Sequence, residues 1–167
     1  MVMKRQVFSL LVENTSGVLS RIAGLFTRRG YNIDSITAGV TADDRFSRIT
    51  VVVMEDEVVL EQIEKQLAKL EEVIDIKELK AGASVCRELV MVKVTVKPET
   101  RQEIISIADI FKGKIMDVSN EALVIELTGN LDKVEAFIKL LEPYGILELA
   151  RTGATGLSRG TDDVKML

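Results

Sequence analysis

The sequence predicts an α+β chain built from two successive βαββαβ sandwiches, each a four-stranded antiparallel sheet covered on one face by two helices. Three observations carry this. Runs with apolar residues at every second position alternate with runs spaced by three and four. The order strand, helix, strand, strand, helix, strand occurs twice at a period of about 82 residues, with hardly any identity between the copies. Between the copies, KAGASVCR at 80–87 is small, polar and glycine-containing. It separates a first domain, 1–80, from a second, 81–167.

Each element has its own local reason. Residues 5–12, RQVFSLLV, put Phe8, Leu10 and Val12 on one strand face. Val18, Leu19, Ile22, Ala23, Leu25 and Phe26 then recur at helical spacing; Arg28 and Arg29 suit the helix dipole in the last turn, and Gly30 suits the C-cap. Residues 31–40, YNIDSITAGV, and FSRITVVVM at 46–54 read as strands joined by the turn TADDR. The next helix carries Val59, Ile63, Leu67 and Leu70 on one stripe and a Glu61–Lys65 pair, and VIDIKEL closes the first unit.

In the second unit, ELVMVKVTV at 88–96 is a strand stopped by Pro98. Ile104, Ile107, Ala108 and Phe111 mark a helix ending near Gly113. KIMDVS and ALVIELTG are strands joined tightly at Asn120–Glu121. Leu131, Val134, Phe137, Ile138 and Leu141 form a second stripe ended by Pro143, and ILELAR is the last strand.

Composition narrows the function. The 167 residues are 47% hydrophobic and 29% charged, the profile of an ordinary globular chain. The net charge of −4 argues against nucleic acid and anionic membranes. No apolar run approaches the roughly 20 residues of a membrane span, and the start lacks the apolar core of a secretion signal. The single cysteine, Cys86, leaves no internal disulfide and fits a reducing cytoplasm. There is no histidine, so the commonest general base and metal ligand are missing. One cysteine and no histidine also leave no zinc site of the usual kind, while carboxylates could still do acid–base work, so composition makes an enzyme less expected without excluding one.

Apolar residues on both strand faces also predict self-association. Val7, Leu11, Ile49, Val51 and Val53 cannot all lie beneath the helices, and an exposed apolar sheet face or edge recruits a partner.

One segment raises a question of chemistry. Between the first strand and the first helix lie Glu13, Asn14, Thr15, Ser16 and Gly17. A helix starting at Gly17 or Val18 leaves its first N–H groups without intrahelical partners, and these groups favour an anion. Gly17 lets a ligand approach closely, and Asn14 offers an uncharged acceptor. A zwitterion fits there, carboxylate on the N–H groups and ammonium on the Asn14 oxygen. A second reading is a helix simply capped by Asn14, Thr15 or Ser16.

The segment ENTSGVLSRIAGLFTRRGYNIDSI resembles the signature of the ACT domain, a small-molecule sensor of amino-acid metabolism. The whole chain resembles the small regulatory subunits of acetolactate synthase, on NTSGVLSRIAGLFTRRGYNIDSI, EQIEKQLAKL, the strand EL-V-VKV and the tail ARTGATGLSRG. The resemblance implies two ferredoxin-like domains, the first an ACT domain. It implies a subunit that stimulates a large catalytic chain carrying thiamine diphosphate, Mg and FAD, and that confers feedback inhibition by valine or another branched-chain amino acid. The ligand would sit between the ACT domains of a homodimer. Asn14, Ser16, Gly17, Val18 and Leu19 would supply one wall, and Asn32 and Ile33 of the second chain the other.

Other features weigh less. Asp43–Asp44 and Asp162–Asp163 read as solvated turn charges. GATGLSRG lacks the lysine of a phosphate loop and reads as a flexible end, or, as a family feature, a contact with the catalytic chain. Two other functions compete: a stand-alone amino-acid sensor acting on a different enzyme, and an RNA-binding module. The strands lack the aromatic stacking pair the latter needs.

Overall fold

A computed structural model of the chain describes residues 2–161. The Asp162–Asp163 pair lies outside the described residues. The chain divides into two compact units, one of 1–86 together with 154–167, the other of 87–153. The sequence boundary after residue 80 thus differs from the structural division by six residues, and the segment from Ala154 belongs with the first unit.

The first unit runs β1 (Lys4–Glu13), α1 (Val18–Arg29), β2 (Ser35–Val40), β3 (Phe46–Glu55), α2 (Glu57–Ala68) and β4 (Val73–Glu78). Its antiparallel sheet has the order β2-β3-β1-β4. Phe8, Leu10 and Val12 of β1 share a face with Ile49, Val51 and Val53 of β3, and Ile22, Leu25, Phe26, Leu60, Ile63 and Leu67 of the helices close over it. Burying each such side chain contributes about 1.5–3 kcal/mol. β2 starts at Ser35, later than its sequence pattern implies, because 31–34 form a connector in which the Tyr31 hydroxyl meets Gln62 Oε1 at 3.1 Å. Leu19 departs from the expected stripe and is 45% exposed.

The helix-free face of this sheet is where the structure corrects the sequence reading. Ile49, Val51 and Val53 do lie beneath the helices; Val7, Leu11 and Val52 are on the other side, yet all three are buried. For Val7 and Val52 the cover includes the chain's own tail. The segment expected to be a flexible end forms a strand, β9 (Thr155–Ser158), which pairs with the start of β5 (Ser84–Thr95). Arg159 N–H reaches Ala83 O at 2.8 Å, and Ala154 closes a small core with Val7, Val52, Leu79 and Cys86. Val7 and Val52 are therefore covered by the chain itself. Gly156 makes the close approach possible: a Cβ there would lie 2.6 Å from Cys86 Sγ and 2.8 Å from Val85 O.

The second unit contains most of β5, then α3 (Arg101–Ile110), β6 (Lys114–Val118), β7 (Ala122–Gly129), α4 (Leu131–Leu141) and β8 (Ile146–Arg151), with sheet order β6-β7-β5-β8. Val90, Val92, Val94, Ile104, Ala108, Ile125, Val134 and Phe137 form its core. Its buried carboxylate, Glu88, is met by Arg151, Nε to Oε1 at 2.6 Å and Nη2 to Oε2 at 3.1 Å; Arg151 Nη1 also reaches Glu135 at 2.8 Å.

Two outcomes are expected in urea unfolding. Gly156→Ala should destabilise the chain by about 1–3 kcal/mol through overpacking, and Cys86→Ala should recover only part, because the clash with Val85 O remains. Arg151→Met should cost about 3 kcal/mol, because Glu88 keeps its buried charge without its cation; Glu88→Gln in the same background should restore part of the loss.

Candidate functional site

The site forms where β1 ends and α1 begins. Asn14 is held on both sides by the β2–β3 turn: its N–H donates to Arg45 O at 2.8 Å and its side-chain Nδ2 to Asp44 O at 2.8 Å. Asp44 O thus takes the amide nitrogen, leaving Asn14 Oδ1 as the acceptor end. The turn is braced by Asp43, which accepts from the Arg45 N–H at 3.1 Å and from Arg45 Nη2 at 2.6 Å. These bonds pull the Asp43 carboxyl from 3.8 down to about 2.

Gly17 is the N-cap of α1, with φ 86° and no side-chain cap bond. Positive φ costs an L-residue about 1–2 kcal/mol, so glycine belongs here for its backbone alone. The simple-cap reading of Asn14, Thr15 and Ser16 is therefore not what the structure shows. Helices α2 and α4 are capped by Asp56 and Asn130, and α2, α3 and α4 each carry an acidic residue in the first turn; α1 has neither feature. Its N-terminal partial charge is uncompensated from within the helix. Thr15 N–H turns back to Glu13 O, and Val18 N–H makes a long 3.4 Å contact with Thr15 O.

Side chains at the site divide. Val18 is buried in the core and can offer a ligand only its N–H; Ser16 is exposed and caps nothing; Leu19 stands half-exposed beside the turn. Arg21 was not singled out by the sequence. A Cβ on Gly17 would lie 3.5 Å from its Nη1, and its Nε pairs with Glu72 at 2.5 Å. The signal was its i+4 position: helical side chains lean toward the N-terminus, so the residue one turn on covers the helix start.

Asn32 and Ile33 are not brought to this turn. Asn32 is exposed, with Nδ2 3.4 Å from Asp34 Oδ1, and Ile33 packs half-buried on the first unit's core. They follow α1, whereas Asn14 to Leu19 lead into it, and 12 residues of helix span about 18 Å. Among the described residues no three His, Cys, Asp or Glu side chains could share a metal, and no helix is long and apolar enough to cross a membrane.

This βαββαβ sandwich, with its glycine-started and uncapped first helix, defines the chain as an ACT-type protein with a second ferredoxin-like domain. Residues 8–75 match the model of the AHAS small subunit-like ACT domain, and residues 87–160 the model of the small subunit of acetolactate synthase. A probable acetolactate synthase small subunit from Methanothermobacter thermautotrophicus is 51% identical over 156 residues, 93% of both chains. The acetolactate synthase small subunit of Bacillus subtilis is 49% identical over 158 residues, 94% of this chain and 92% of the relative. The crystal structure of the small subunit from Thermotoga maritima superposes with a TM-score of 0.84 at 42% identity, covering 95% of this chain and 99% of that one. The chain belongs to the acetolactate synthase small-subunit family.

The Asp43 carboxyl has its pKa lowered in the folded state, so its stabilising contribution is complete above its ordinary value of 3.8 and is lost as pH falls through about 2. An NMR titration should give Asp43 a midpoint near 2, with the Asn14 side-chain amide following it. A midpoint at 3.8 would show that the Arg45 fork does not form in solution.

Proposed function

We propose that this chain is the regulatory subunit of an acetolactate synthase: that it binds valine, or another branched-chain amino acid, between the ACT domains of two copies, and that it stimulates and feedback-inhibits a separate catalytic chain. Thiamine diphosphate, Mg and FAD would be held by that chain and not by this one. Metabolic feedback of this kind places the protein in the cytoplasm.

The observation that carries the reading is the start of α1: an uncapped helix end beside an amide oxygen, two groups that suit the carboxylate and ammonium of a free amino acid. Arg21, its Nε paired with Glu72, keeps its Nη groups beside Gly17 as further donors. The separation of Asn32 and Ile33 from this turn by the length of α1 supports a site completed by a second chain. Among the described residues β2 stands at the edge of its sheet beside β3, the position at which a second chain could pair. Enclosure by two chains suits a ligand of so few atoms, for which sub-millimolar binding, roughly −5 kcal/mol, demands high efficiency per atom. It also ties occupancy to the geometry of the pair, as feedback requires.

The stand-alone sensor uses the same ligand site and differs in its target. Calorimetry with valine, leucine and isoleucine tests the site. Asn14→Ala should weaken binding by about tenfold, the loss of one charge-assisted hydrogen bond. Gly17→Asp should abolish it by placing a like charge beside the carboxylate. Unchanged binding in both variants removes the site, and a monomer in gel filtration removes the shared interface. Stimulation of a purified catalytic subunit separates the two targets.

A further inference from the structure

A cavity lies on the face of the first sheet away from the helices. It has a volume of about 280 Å³ and is lined by residues 37–41 and Arg48 of the β2–β3 hairpin and by Thr155 and Leu157 of β9. The register explains its position. Ile36 packs on the helix-side core, so Thr37 and Gly39 face the other way, and Gly39 pairs with Arg48. The tail strand supplies the remaining wall, and no lining residue is acidic.

Arg48 is the unusual member. It is half-buried, and Nη1 donates to Ser9 Oγ at 2.9 Å, which fixes the side chain against the sheet. Among the described residues it forms no ion pair, although Arg21, Arg45 and Arg151 each do. A guanidinium has five donors in a planar fork suited to a carboxylate, and a neutral hydroxyl meets only one of them. Holding it half out of water without an anion is unfavourable, and a bound carboxylate would relieve that. The rest of the lining selects within the anions. The Thr155 hydroxyl can add a hydrogen bond, the Thr41 hydroxyl being engaged with Asp43, and Leu157 gives an apolar wall. One cation with an apolar wall suits a singly charged carboxylate with a short aliphatic body better than a multiply charged phosphate.

We propose that this cavity is a second small-molecule site, distinct from the α1 turn, that takes a short aliphatic carboxylate on Arg48 between the β2–β3 hairpin and the tail strand. Occupancy would tie the tail to the hairpin that also anchors Asn14 through the Asp44 and Arg45 carbonyls.

The test is amide NMR of the full chain titrated with sodium isobutyrate, against sodium chloride at matched ionic strength. Expected are saturable millimolar shifts at Gly39, Thr41 and Leu157 that persist in Asn14→Ala, so failure of the α1 site would not remove them. Arg48→Gln should weaken them by about tenfold, a loss expected for one bidentate charged pair. Gly39→Leu should do the same by filling the cavity, since an added Cβ there meets nothing within 4 Å. Amide dispersion reports the folding of both variants. Shifts confined to Leu19 and Ser20, or affinity retained in Arg48→Gln and Gly39→Leu, would overturn the proposal. Inorganic phosphate binding more tightly at the same residues would overturn the choice of a carboxylate.

Discussion

The first unit depends on one constraint: β1 is buried on both faces. From Gln6 to Val12 every residue is buried, and the strand is paired on both edges, to β3 and to β4. Its backbone groups are met by those neighbours, but its two side-chain faces need separate covers. The helices close one face over Phe8, Leu10 and Val12. The other, with Val7, would stand against water if the chain stopped after a single sandwich. The return of 154–158 onto that side answers the need, and it explains why the first unit is not one continuous stretch of sequence.

The same strand sets up the candidate site. Where β1 leaves the sheet, Asn14 is tied to the carbonyls of the β2–β3 turn, and the chain must reverse into α1 within a few residues. Gly17 makes the reversal in the left-handed region, which removes the side-chain cap and leaves the helix start open. Three elements meet there, so a ligand that fits one arrangement of strand end, hairpin turn and helix better than another would shift all three together. In the function proposed above, that is how an amino acid of few atoms could influence a much larger partner. The corresponding helix of the second unit, α3, has Glu103 in its first turn and no glycine at its start, so its N-terminus is less suited to an anion.

What the sequence by itself determined follows from local rules. Periods of two and 3.6 marked all eight strands and four helices of the repeated units, because each element has one face that must avoid water. The C-terminal glycine cap of α1, Gly30, was legible because few other residues accept positive φ; Gly17 was read as room for a ligand, and its place as the N-cap came from the structure. Glu13, Asn14, Thr15, Ser16 and Gly17 were legible as a turn because they are contiguous, polar and contain glycine; Val18 and Leu19 joined the site through the family resemblance. Only the tertiary structure decided the rest. β9 carries a weak pattern, with Gly156 buried beside Cys86, and nothing local says that a four-residue strand at 155–158 will cover a sheet begun at residue 4. The role of Val18 was split in the same way, its N–H at the turn and its side chain in the core. That Arg48 faces a cavity walled by residues more than a hundred positions away depends on contacts distant in sequence, which neither hydrophobic period nor local propensity encodes.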